Sequence, residues 1–167
     1  GRRCAPYTFP FVAMMWLILA AAAHLPFLQV KPVQPQNPSQ VEVLSSLAMG
    51  FGQIMFQENA ISGCLFFLAI ALSSKRSALY AALGVALGTL FSILWSQPSA
   101  VINSGLYGFN AALCGIAFAL SKSEYRFGLA IVAIVLSIGF MYGMALFRIP
   151  ALTAPFVFST WLVKSMS

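Results

Sequence analysis

Polar positions fall in a few short clusters, and between them the chain is almost continuously apolar. Divided at its charges and prolines, it has a first span over Phe9–Leu28 and a polar stretch over Lys31–Glu42 (KPVQPQNPSQVE). A long region over Val43–Leu72 follows and is closed by Lys75 and Arg76. A clean span covers Ser77–Gln97, then come a short polar turn over Pro98–Ser104 and a half-length run over Gly105–Leu120. The charged segment Ser121–Arg126 (SKSEYR) precedes a second clean span over Phe127–Phe147. After Arg148 and Pro150 a short run occupies Ala151–Val163. A bilayer crossing takes about 20 predominantly apolar residues, which the clean runs supply.

Two segments do not read as ordinary crossings. Val43–Leu72 is too long for one and too short for two, and Gln53, Gln57, Glu58 and Asn59 interrupt it beside Gly50, Gly52 and Gly63. Non-helical backbone at membrane depth is tolerated only where protein or a water-filled cavity covers it, so a re-entrant segment followed by a span is expected. Ala151–Val163 covers only about half a bilayer at ~1.5 Å per residue.

Composition narrows the class. Charged residues make up 7% of the 167 and apolar ones 60%, with a mean hydropathy of +0.90. A soluble domain carries about 25% charged residues, so this chain could not cover a globule with polar surface. That excludes a soluble enzyme domain, a disordered chain and a secreted disulfide scaffold, and leaves an all-α polytopic membrane protein. The net charge of +6 is no nucleic-acid signal, because the basic residues are scattered at span ends, as the positive-inside rule produces. That rule places Lys75–Arg76, Lys122–Arg126, Arg2, Arg3 and Lys164 in the cytoplasm and the Lys31–Glu42 loop outside. Cys4, Cys64 and Cys114 have no metal or redox spacing, and the two in apolar segments are expected to be buried thiols. The chain opens on Gly1 rather than Met, and Gly1–Tyr7 leaves no room for a signal peptide. A fragment with its beginning missing is expected.

One repeat is visible. Thr8, Pro10, Phe11, Val12, Trp16 and Leu17 recur as Thr153, Pro155, Phe156, Val157, Trp161 and Leu162 in a single frame. The topology above runs the first copy outward and the second inward. Inverted repeats of this kind place their site near the midplane, at the ends of short or broken helices. Each copy carries Pro in its first turn, where a missing N–H costs nothing, and each begins on Thr, a good N-cap residue. Two helix N-termini are therefore expected to approach mid-membrane with a Thr hydroxyl at each tip. On this reading residues 1–30 hold the last helix of a first repeat, 31–42 an extracellular or periplasmic loop, and 43–167 the second repeat.

No catalytic constellation is present. The one histidine, His24, sits at the outer end of the first span and precedes every serine that could act with it. Clean spans hold no acidic residue, so a proton relay has no parts. Two polar, aromatic-flanked stretches remain, GFGQIMFQENAISG around Gln53 and Phe56, and GLYGFNAALCGIAF, where Phe109 and Leu113 share a helical face four residues apart. Amides and hydroxyls beside phenyl faces suit a small, flat, uncharged polar solute. Tight-packing helix ends would use the same residues.

These two stretches and the two Thr-x-Pro-Phe helix starts resemble the urea transporter family, over essentially the whole chain. The resemblance implies a passive, urea-selective channel with two inverted halves, assembled as a homotrimer in the lipid bilayer of the plasma (bacterial inner) membrane, with no cofactor, metal or nucleic acid. It implies that Gln53 lines the pore with Ile54 beside it. Phe56 and Phe109 would form flat slots at opposite ends of the filter, Leu113 would narrow it, and Thr8 and Thr153 would meet at the central constriction. Ile54 stands where the family commonly has Val, and Glu58 where it commonly has Asn. The alternatives are a channel for another small neutral amide or ammonia, and a non-conducting membrane scaffold.

Overall fold

The computed structural model describes residues 5–25 and 40–166. Those residues form helices α1 (Phe9–His24), α2 (Val43–Gly52), α3 (Ala60–Ser73), α4 (Lys75–Leu94), α5 (Ser99–Asn103), α6 (Leu106–Ala119), α7 (Arg126–Leu146) and α8 (Ala154–Met166), with a 3₁₀ turn at Gln53–Met55. Three stretches are long and apolar enough to cross a membrane: α4, α5 with α6, and α7.

Several expected boundaries move. The first span ends as a helix at His24, because Leu25 adopts an extended conformation and a residue before proline, here Pro26, is pushed out of the helical region. Residues 26–39 lie outside the described residues, and so does most of the expected Lys31–Glu42 loop. The polar turn over Pro98–Ser104 is instead helical. Pro98, with its fixed φ, opens α5, and Ser99–Ala119 reads as one 21-residue span rather than a half-length run. Its polar residue Asn103 bonds outward, donating to the Gln40 carbonyl and accepting from the Glu42 amide. The break inside this span is Gly105, left-handed at φ 71°. A Cβ there would lie 2.3 Å from the Gly50 amide nitrogen.

Val43–Leu72 divides into α2 and α3, bent by 72° across the polar residues. They pack closely where Gly63 of α3 crosses α2, since a Cβ on Gly63 would fall 1.8 Å from the Ala48 carbonyl oxygen. The α4–α6 crossing is close at three points along its length. Hypothetical Cβ atoms on Gly84, Gly88 and Gly115 would lie 2.5, 2.4 and 2.3 Å from carbonyl oxygens of Ala111, Tyr107 and Tyr80. Small residues drive association among apolar helices because they let backbones touch where lipid offers no competing hydrophobic gain.

The core sits on α6. Tyr107, Ala111, Cys114 and Phe118 join Ala130, Ala133, Ile134, Ile138 and Met141 of α7, and Phe156, Val157 and Val163 of α8. The α7 residues recur three and four apart, so one stripe faces inward. In contrast α1 buries only Val12, and α3 only Gly63. Cys64 of α3 is therefore exposed, against the expectation of a buried thiol, while Cys114 is buried.

The start of α8 is held from α6. Asn110 donates its Nδ2 to the Leu152 carbonyl at 2.9 Å and accepts the Phe156 amide at 3.2 Å. Phe156 is the third residue of α8, so its N–H is one that the helix itself leaves unmet.

Two outcomes follow for the complete protein, both read by thermal unfolding in detergent. Gly84→Ala forces a methyl into backbone and costs about 1–3 kcal/mol. Gly139→Ala, with nothing within 4 Å, does not destabilise. Asn110→Ala strands the Leu152 carbonyl and the Phe156 amide, at about 1–3 kcal/mol for each unmet group. An Asn110→Ala protein as stable as the parent would show that these groups find other partners.

Candidate functional site

The repeat read along the chain is reciprocal in space. Thr8 and Thr153, 145 positions apart, share a hydrogen bond between their hydroxyls at 2.7 Å. The indole N–H of Trp16 on α1 donates to the Pro150 carbonyl at 2.8 Å. The indole N–H of Trp161 on α8 donates to the Ala5 carbonyl, also at 2.8 Å. Each tryptophan thus holds the segment leading into the other helix. The lead-ins match in detail. Tyr7 and Leu152 are both left-handed, at φ 46° and 48°. The Phe9 amide donates to Pro6 at 3.0 Å and the Ala154 amide to Ala151 at 2.9 Å. A contact in which residue i meets j while j meets i marks a two-fold relation, and a residue on the axis meets its own counterpart. Thr8 and Thr153 occupy that place. Because each lead-in runs beside the opposite helix, α1 and α8 depart from the meeting point in opposite directions.

The expected N-cap role of Thr8 is not what the structure has. Its hydroxyl makes no cap hydrogen bond; it is turned onto Thr153. At α8 the third amide is taken by Asn110 instead. Side-chain capping from another helix leaves the Thr153 hydroxyl available at the axis.

Gln53 lies in the 3₁₀ turn after α2, where it is only 6% exposed. Its Nε2 donates to Glu58 Oε1 at 3.2 Å. No described residue bonds its carbonyl oxygen, so the amide is held by one end and offers an acceptor at the other. Glu58, the departure from the family pattern, is thus the group that orients Gln53. Ile54 packs against the small cluster of Phe51, Ala81, Val85 and Ala112. Phe56 ends the turn in the left-handed region at φ 55°. Its ring, 53% exposed, lies 5.6 Å from the ring of Phe11 in the first turn of α1. The polar turn is thereby carried to the start of α1, close along the chain to Thr8.

Phe109 and Leu113 lie on α6 beside Asn110, which ties that helix to both sides of Thr153. Phe109 is only 3% exposed, and Leu113 is packed against the main core. Among the described residues Phe56 and Phe109 make no ring contact with each other, and they differ in exposure. Thr8, Thr153 and Phe56 therefore gather at the helix starts, while Phe109 is enclosed.

Four residues contribute contacts that their place in the sequence does not assign: Asn110, Phe11, Glu58 and Tyr7. Asn110 stood inside a quoted motif, but its partners lie 42 and 46 positions away. At the far end of α8, Lys164 donates to the Tyr7 hydroxyl and sits 5.1 Å from the Tyr7 ring and 5.9 Å from that of Phe118, within cation–π reach. No His, Cys, Asp and Glu cluster among the described residues could hold a metal ion.

The family described as urea transporter matches residues 1–167. Among curated relatives, urea transporter 1 of Rattus norvegicus is 32% identical over 93% of this chain and 45% of its own length. Urea transporter 1 of Ovis aries gives the same figures of 32%, 93% and 45%. That of Mus musculus is 31% identical over the same shares of 93% and 45%. The chain spans about half the length of the curated relatives it matches. With a family match over its full length and three stretches able to cross a membrane, this integral membrane chain belongs to the urea transporter family.

Proposed function

We propose that the complete protein is a passive, urea-selective channel rather than an enzyme, in which residues 1–30 close a first inverted repeat, 31–42 connect, and 43–167 form the second. The observation that carries this reading is the meeting of Thr8 and Thr153 at the tips of two opposed, short helices. In this reading Thr8, Gln53, Ile54, Phe56, Phe109, Leu113 and Thr153 line the path. Urea is neutral and planar, and loses water as it enters. The free Gln53 carbonyl accepts one of its N–H groups and the exposed Phe56 face covers its plane. At the constriction the two hydroxyls part, and each exchanges the other for an N–H or the carbonyl of urea. Helix N-termini each carry about +0.5 elementary charge, so two of them facing one point disfavour cations without hindering a neutral solute. The homotrimer and the plasma (bacterial inner) membrane complete this proposal.

The short Thr8–Thr153 bond also favours a second reading, a non-conducting scaffold in which the pair only fixes two helices. Flux through the complete protein in liposomes separates the two. A channel carries urea down its gradient without dependence on voltage or a proton gradient, and Thr153→Val slows it. Losing one hydroxyl leaves a dehydrated urea short of a partner, and a barrier higher by ~1.4 kcal/mol slows passage about tenfold. Thr8→Val behaves alike. Since neither hydroxyl caps its helix, neither variant loses the ~0.5–2 kcal/mol of a capping residue. A stable Thr153→Val protein with unchanged urea flux would sink the pore reading.

The phenylalanines are expected to separate. Phe56→Ala removes an exposed face, so thiourea and methylurea become less well discriminated from urea while the thermal midpoint holds. Phe109→Ala opens a buried site and costs about 3–5 kcal/mol of stability. Selectivity of the Phe56→Ala protein equal to that of the parent would remove Phe56 from the filter.

A further inference from the structure

A second built feature lies away from the paired threonines, at the end of the bundle where α4 and α7 begin and α6 stops. Here a cavity of about 420 Å³ is lined by Ser74, Arg76, Leu120, Ser121, Lys122 and Arg126. Sequence topology put Lys75–Arg76 and Lys122–Arg126 on one side; the fold draws three of those cations around one space.

No ion pair joins Arg76, Lys122 or Arg126 to a carboxylate of the described residues. The acid within their loop, Glu124, does not line the cavity. Like charges gathered without a counter-charge repel one another, and a bound anion relieves this. The cavity also has hydroxyl donors to spare. Ser74 accepts from the amide and hydroxyl of Ser77, and Ser121 accepts from the amide of Ser123; neither O–H donates to a described residue. Two helices of 20 and 21 residues begin here, which adds positive potential. Guanidinium groups and hydroxyls of this kind match a phosphoryl oxygen set. Leu120, in the lining, and Phe127, next to Arg126, are large exposed apolar side chains, so the space is cationic on one side and oily on the other.

We propose that this cavity binds the phosphate headgroup of an anionic membrane lipid, with the acyl chains against Leu120 and Phe127. Basic pockets between membrane helices on the cytoplasmic side meet a leaflet rich in such lipids. The proposal is independent of the pore reading, since its lining residues are none of those at the starts of α1 and α8.

The test is native mass spectrometry of the complete protein in detergent, titrated separately with phosphatidylglycerol, phosphatidylcholine and inorganic phosphate. Phosphatidylglycerol is expected to bind in preference to phosphatidylcholine. Each charge removed weakens it about fivefold, so Arg76→Gln, Lys122→Gln and Arg126→Gln together weaken it roughly a hundredfold. Lys75→Gln, next in sequence but outside the cavity lining, leaves it unchanged. Should the triple variant fail to fold, Lys122→Gln alone, on an exposed loop side chain, carries the fivefold expectation. Equal binding of the two lipids would overturn the proposal, as would unchanged affinity in the Gln variants or an equal effect of Lys75→Gln. Inorganic phosphate competing away the lipid signal at equal concentration would assign the site to a free anion and overturn the lipid.

Discussion

Inside an apolar bundle, every backbone N–H and C=O that leaves the helical pattern must be met by another protein group, because no water competes for it. Among the described residues, three of the places where helix breaks among apolar neighbours are the lead-in to α1, the turn after α2 and the lead-in to α8. Each is met by a side chain from elsewhere or by a tight local turn. Trp16 and Trp161 take the carbonyls of Pro150 and Ala5. Asn110 takes a carbonyl and an amide on either side of Thr153. The Gln57 amide returns to the Gly52 carbonyl at 3.1 Å, a closure that a Cβ on Gly52 would obstruct at 2.5 Å from Gln57 oxygen. With their backbones satisfied this way, the two threonines keep their hydroxyls for each other, and Gln53 keeps a carbonyl free.

The glycines set how closely this can be drawn. Backbone contact along the α4–α6 crossing places α6 at the centre of the chain, and α6 in turn presents Asn110 to α8. The exact placing of a hydroxyl at the end of α8 therefore depends on methyl groups absent from α4, two helices away. Here packing and polar satisfaction are one construction rather than two.

Much of this was legible in the sequence, and the rest failed for identifiable reasons. The spans were readable because apolar runs in this chain are long and the charges sit at their ends. The inverted pairing was readable because Thr, Pro and Trp are distinctive against an apolar background. The polar turn over Pro98–Ser104 was misread because Asn103 and Ser104 look like loop residues in one dimension, whereas Asn103 spends its amide on Gln40 and Glu42. Local position makes Thr8 a good cap as well as a residue at the helix tip, and only the second holds, because Thr153 takes its hydroxyl. The enclosure of Phe109, 3% exposed where Phe56 is 53% exposed, depends on what packs over α6, which spacing along one helix does not contain.

The reciprocal tryptophan bonds have a mechanical meaning. Each indole grips the strand that delivers the other helix, so neither tip can retreat without dragging the lead-in of its opposite. A displacement on one side of the meeting point is thereby coupled to the other through two indole bonds of equal length.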